Sequence, residues 1–129
     1  MHFVTHSLGG ILVRQYLNQN SIENLGNVVM LGPPNQGSEL VDFFQSSPML
    51  RKIFQRVNGP AGMQLGTDDQ SQPNVLGQVN FKLGIIAGTK NRNPISSRIL
   101  QGDSDGKVSV SRSKVAGMTE HLVLSLIHI

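Results

Sequence analysis

The stretch Phe3-Val4-Thr5-His6-Ser7-Leu8-Gly9-Gly10-Ile11-Leu12-Val13 decides how the rest of the sequence is interpreted. Its first residues favour the end of a strand, and its last residues favour the first turns of a helix. The two glycines after Ser7 leave room for a strand and a helix that pass close together. We therefore predict a sharp strand-to-helix turn with the serine at its apex.

This turn resembles the nucleophile elbow of the α/β-hydrolases, in the His-Ser-Leu-Gly-Gly form of bacterial-type lipases and esterases. The resemblance implies that Ser7 is the acyl-accepting nucleophile and that the backbone N–H of Leu8 donates to the oxyanion. Thr5 departs from the commonest pattern, which has glycine there. A serine before Leu-Gly-Gly could also simply cap a helix, and the motif alone leaves that alternative open.

Composition excludes several classes of protein. A 38% hydrophobic and 15% charged chain of 129 residues is typical of one globular domain, and no apolar run reaches the roughly 18 residues of a membrane helix. Without cysteine there are no disulfides and no thiolate metal sites. The net charge of +3 comes from dispersed basic residues, so we expect no nucleic-acid partner.

The family resemblance implies an α/β fold, with a mostly parallel sheet, flanking helices and a small helical cap. Because only Met1 to Thr5 precede the turn, we expect a partial α/β-hydrolase domain over residues 1–129, truncated at both ends. Asn27–Leu31 and Lys82–Gly88 are predicted strands, the first buried on both faces as parallel sheets require. Between the elbow and the first of these strands we predict a helix with Ile11, Leu12, Tyr16 and Leu17 on its apolar face and Arg14, Gln15 and Asn18 on the other.

A cap-like insertion is predicted at about residues 38–80. Its apolar residues mark two short amphipathic helices that are separated at Ser46-Ser47-Pro48. They could line an acyl pocket, or they could only cover the sheet, and the two interpretations are equally good. From Asn58 to Asn80 we predict an ordered loop, and from Lys90 to Gln101 a polar connection.

Gly102-Asp103-Ser104-Asp105-Gly106-Lys107-Val108 contains an Asp-Gly turn before alternating valines, which by default predicts a hairpin or the start of a strand. The resembled lipases place their triad acid in an Asp-Gly-any-Val turn, and the match falls on Asp105. Asp103 is the alternative acid, although it is better suited to accepting turn N–H groups.

The catalytic histidine should follow the acid in the chain, which leaves His121 and His128 and makes His6 structural. The resembled hydrolases carry this histidine beyond the end of the last strand, which favours His128 and leaves His121 as the fallback. Residues 124–129 are also the in-frame translation of a transposon mosaic end. If that tail is foreign, His128 only occupies the position of a native histidine further along.

The resulting hypothesis is a serine hydrolase of carboxylic esters that acts through an acyl-enzyme on Ser7, with Asp105 and His128 completing the triad. The expected substrate is a small-molecule or lipid ester, and neither a cofactor nor a metal is implied. Two alternatives stay open, namely an acyltransferase or amidase with the same triad and a non-catalytic hydrolase-like interaction module. We expect this chain by itself to be inactive.

Overall fold

The computed structural model describes residues 1–62, 64–92, 94–100 and 102–125. Four parallel strands form one sheet in the order β1-β2-β3-β4, with ranges β1 Phe3–His6, β2 Val28–Leu31, β3 Leu83–Gly88 and β4 Glu120–Leu124. Every pair is in parallel register, and Thr5, Met30, Ile85 and His121 lie side by side across the sheet. The fold is α/β with flanking helices, as the sequence predicted.

The two faces of this sheet differ. On the face we call the covered face, Val28, Met30, Leu83 and Ile85 are fully buried. The other, open face carries apolar residues that are half-buried or exposed, namely Val4, Val29, Leu31, Ile86, Leu122 and Leu124. The prediction that β2 is buried on both faces is therefore wrong, because helices and loops in the described part of the chain pack fully on one face only.

Helix α1 (Leu8–Gln19) follows β1 without a connecting loop and packs on the covered face through Val13 and Leu17. The predicted orientation of this helix is partly wrong. Leu12 and Tyr16 are more than half exposed, whereas Arg14 is buried. The reason is geometric, since Ile11, Arg14 and Leu17 are three residues apart and therefore share one side of the helix.

The segment between β2 and β3 contains three helices, α2 (Glu39–Gln45), α3 (Pro48–Gly62) and α4 (Gln72–Val75). The predicted break at Ser46 and Ser47 is confirmed. The prediction of a loop from Asn58 to Asn80 is partly wrong, because α3 continues to Gly62 through a kink at Gly59 and α4 lies within the same range. Val41 of α2 and Leu65 form a second small core with Ile11, which fixes the segment to α1.

Two further helices follow β3, α5 (Pro94–Ile99) and the short α6 (Val110–Ser113). The polar connection predicted from Lys90 to Gln101 thus contains a helix, whose Ser96 is buried. Within the described part of the chain, no helix combines the length and apolar character needed to cross a membrane.

Candidate functional site

Ser7 lies at the apex of a sharp turn between β1 and α1. Its backbone has φ 51° and ψ −123°, a conformation that non-glycine residues rarely adopt. Its N–H donates to the carbonyl of Leu31 at 2.9 Å. This bond extends the β1–β2 pairing by one residue. The side chain makes no capping hydrogen bond to α1, so the alternative of a simple helix cap does not describe this serine.

The close approach of strand and helix depends on Gly10 more than on Gly9. A Cβ added at Gly10 would be 2.9 Å from the Met30 sulfur and 3.3 Å from Cβ of Pro33. At Gly9 it would be 3.5 Å from Cβ of Thr5, which is an ordinary contact. Thr5 is therefore tolerated where the commonest motif has glycine, and its buried Oγ1 has no hydrogen-bond partner among the described residues.

The amide of Leu8 is the first of α1, directly after Ser7. The first N–H groups of a helix have no acceptor within the helix, and they carry the positive end of its dipole. A negatively charged oxygen beside Ser7 Oγ would meet these groups. The position of Leu8 is thus suited to hold an oxyanion.

Residues 32–38 leave the sheet at the same edge as Ser7, because β1 and β2 are parallel. In this loop, Ser38 caps α2 by accepting from the Leu40 N–H at 3.3 Å, and its hydroxyl donates to the carbonyl of Lys107 at 2.7 Å. The turn that contains Asp105 is therefore attached to the edge of the sheet from which Ser7 projects.

Asp105 is buried, at 6% exposure, in a tightly bonded turn. Its Oδ1 accepts from the backbone N–H groups of Lys107 and Val108, both at 2.9 Å. A bridge between Ser104 and Ser109 closes the turn. Asp103 is exposed, and its backbone carbonyl accepts from the Val110 N–H. The expectation that the Asp103 side chain accepts the turn N–H groups is wrong, because Asp105 accepts them.

The histidines lie in different places. His121 is in β4, three strands from β1, and its Nε2 is 2.8 Å from Oγ of Ser113. Since the Ser113 hydroxyl donates to the Val110 carbonyl, it accepts from His121, which places a proton on Nε2. The structure thus does not bring His121 to Ser7. His128, predicted as the base, lies outside the described residues.

Desolvation and the nearby positive charge of Lys114 lower the pKa of His121 from its ordinary value of 6.5. Near neutral pH, His121 is therefore neutral and donates from Nε2 to the Ser113 hydroxyl. This position indicates a structural role, in which His121 joins β4 to α6.

A buried polar cluster, which the sequence did not predict, lies behind the turn at Ser7. Arg14 is 3% exposed and Asn35 is 1% exposed, and Nη1 of the arginine donates to Oδ1 of the asparagine at 3.1 Å. The spacing of Arg14 from the buried Ile11 and the partly buried Leu17 was a weak signal, which the charge of the side chain outweighed. Asn35 follows two prolines in a loop and gave no such signal.

Comparison with known proteins agrees with this architecture at the level of the fold. Among solved structures, the propeptide form of the Bacillus licheniformis lipase BlEst2 superposes with a TM-score of 0.78 at 22% identity, over 99% of this chain and 32% of that one. The mature form of the same lipase gives a TM-score of 0.68 at 22% identity, over 99% of this chain and 58% of that one. No family model matches, and no curated protein matches.

These similarities define a lipase-like α/β fold. At this identity they bear on the fold alone. The chain spans about a third of the propeptide form and less than two thirds of the mature form.

Proposed function

We propose that residues 1–129 belong to a serine hydrolase of carboxylic esters and contain its nucleophile and its triad acid. The observation that supports this most directly is the backbone of Ser7, which holds a non-glycine residue at φ 51° between a strand and a helix. Strain of this kind is of order 1–3 kcal/mol and is found mainly at functional sites. The lipase-like fold agrees with an ester as the substrate.

In the proposed reaction, Ser7 Oγ attacks the acyl carbon while a histidine removes its proton, and the alcohol leaves with that proton. Water then hydrolyses the acyl-enzyme by the reverse sequence of proton transfers. The Leu8 N–H donates to the oxyanion in both steps. We assign Asp105 as the acid that orients the histidine, and we keep His128 as the position from which that histidine comes.

The open face of the sheet supports the further proposal that these residues are part of a longer polypeptide. Parallel sheets are normally covered on both faces, yet Val4 is 74% exposed and Leu122 is 53% exposed. The BlEst2 chains likewise continue beyond the matched region. We propose that additional helices cover this face and that the 129 residues alone do not turn over esters. We also propose that α2 and α3 act as a cap over the site.

The proposed function is tested in an ester-hydrolysing polypeptide that contains these residues. Ser7→Ala should reduce p-nitrophenyl acetate turnover to background and leave the thermal unfolding temperature nearly unchanged, since its Oγ makes no bond that stabilises the helix. Ser21→Ala, at an exposed serine, is the matched control. Turnover that survives Ser7→Ala would remove this serine as the nucleophile.

A further inference from the structure

The polar cluster of Arg14 and Asn35 is built around the buried guanidinium of Arg14. Nη1 of Arg14 donates to the backbone carbonyl of Asn35 at 3.0 Å as well as to its side chain, and Nη2 donates to the carbonyls of Pro73 at 3.0 Å and Gly77 at 2.7 Å. Among the described residues, no carboxylate pairs with this guanidinium. Desolvation lowers the pKa of Arg14 to about 10.

Asn35 also bonds to the segment after Asp105. Its Nδ2 donates to the carbonyl of Ser113 in α6 at 2.8 Å. The neighbouring Gln36 strengthens the link, because its N–H donates to the Arg112 carbonyl at 2.9 Å and its own carbonyl accepts from Nη1 of Arg112 at 3.0 Å. The loop after β2 is therefore bonded to α1 on one side and to α6 on the other.

The same loop is also hydrogen-bonded to the turn that contains Asp105 and to the residues after that turn. Ser38 bonds to Lys107, as described above. Oε1 of Glu39 accepts from Oγ of Ser109 and from Nε of Arg112, both at 3.1 Å. Hydrogen bonds thus connect the middle of α1, through the loop, to residues 107–113, which form the second half of the Asp105 turn and the helix after it.

A guanidinium is suited to this position because its planar fork reaches several separate acceptors at once. An apolar side chain of similar size would leave the carbonyls of Asn35 and Pro73 without a donor in a buried place, which is unfavourable. A lysine ammonium has three donors on a flexible stem, and it cannot reproduce the geometry of all four bonds.

We propose that Arg14 is a positioning residue of the reaction. Through Asn35 it holds the loop of residues 33–39, and with that loop the Asp105 turn, at a fixed place relative to the elbow. This inference rests on the proposed function, since the position of Asp105 matters to the rate only if Asp105 orients the base. A misplacement of about 1 Å far from the reacting atoms lowers a rate on the order of a hundredfold.

The test compares Arg14→Lys, Arg14→Met and Asn35→Asp with Arg51→Lys, a matched control at an exposed arginine, in the ester-hydrolysing polypeptide. Asn35→Asp keeps an acceptor for Arg14 but cannot donate to the Ser113 carbonyl. Rates are measured below each unfolding midpoint and divided by the amount of folded protein. We expect kcat to fall about tenfold or more in all three variants, with KM changed less than about threefold.

The pH profile distinguishes positioning from a purely structural role. If the Asp105 carboxylate moves away from the base, the pKa of that imidazole falls, and the acid limb of the kcat/KM profile shifts to lower pH. An unchanged kcat and an unchanged acid limb in folded Arg14→Lys and Asn35→Asp would overturn the inference. Survival of turnover in Ser7→Ala would instead overturn the proposed function, so the two failures are distinguishable.

Discussion

The turn at Ser7 and the turn at Asp105 are attached to the same edge of the sheet but are built by opposite means. Ser7 is held in strained backbone by the strand and helix on either side, and its side chain is left without a capping bond. Asp105 lies in a turn whose backbone and side chains are bonded to each other and to the loop after β2. A nucleophile has to be exposed to a substrate, whereas an orienting acid has to be immobile, and the two constructions agree with the roles that we propose for Ser7 and Asp105.

The largest difference in stability should come from the Asp105 turn. Asp105→Ala leaves the buried N–H of Val108 and the partly buried N–H of Lys107 without their acceptor, and we expect a loss of about 2–4 kcal/mol in the free energy of unfolding. Asp105→Asn keeps an acceptor oxygen and should lose clearly less. Urea unfolding of the 129-residue chain measures both variants, and equal losses would show that the two N–H bonds do not hold the turn.

The packing behind the elbow should give the next largest effect. Gly9→Ala and Gly10→Ala gain the same helix propensity, but only the second places a methyl group against Met30 and Pro33. Overpacking of this kind costs about 1–3 kcal/mol, so Gly10→Ala should be less stable than Gly9→Ala by that amount. If the two variants unfold at the same denaturant concentration, the strand and helix are not as close as described.

Release of the strain at Ser7 should stabilise the chain. Glycine adopts positive φ freely, so Ser7→Gly should raise the free energy of unfolding by about 1 kcal/mol, after allowance for its greater freedom in the unfolded chain. Asn24, at φ 60°, is the other described non-glycine residue with positive φ, and asparagine tolerates this region. Asn24→Gly should therefore change little, and an equal gain at both positions would argue against special strain at the elbow.

The smallest effect concerns the contact of His121 with Ser113, which joins α6 and therefore the Asp105 segment to the sheet. Because the folded-state pKa of His121 lies below 6.5, its contribution to stability is fully present above pH 6.5 and is lost as the pH falls through the lowered pKa. Lys114→Gln should reduce this loss, because Lys114 contributes to the lowered pKa. Chemical unfolding at several pH values between about 7.5 and 5 measures this loss. If the free energy of unfolding falls equally with pH in His121→Gln, the loss does not come from His121.

The strand-to-helix turn at Ser7 could be predicted from the sequence because its constraints are local. Gly9 and Gly10 after Ser7 indicate the turn, and β2 follows from an apolar run between Gly26 and Gly32. The orientation of α1 could not be predicted in the same way. Arg14 is buried by acceptors at Asn35, Pro73 and Gly77, which are far away in the sequence, and a hydrophobicity pattern assigns a cation to the solvent side.

The Asp105 turn illustrates the same limit. Its Asp-Gly motif indicated a turn, and the carboxylate of Asp105 bonds within that turn. The bonds that attach the turn and its flank to the loop after β2 come from Ser38 and Glu39, about seventy residues earlier in the chain. The half-open sheet was also not predictable, because an apolar strand such as β2 has the same pattern whether one face or both are covered.

The central claim, that Ser7 is the nucleophile, is tested most directly by covalent labelling of the ester-hydrolysing polypeptide with a fluorophosphonate. The reagent forms a bond between phosphorus and the attacking Oγ, and fluoride leaves. Within Met1–Arg14, Ser7 is the only serine, so fragment ions of the tryptic peptide that ends at Arg14 assign the label to it. We predict one label per molecule, in that peptide, in step with loss of turnover and absent in Ser7→Ala. A stoichiometric label on another residue, with turnover lost, would contradict the assignment of Ser7.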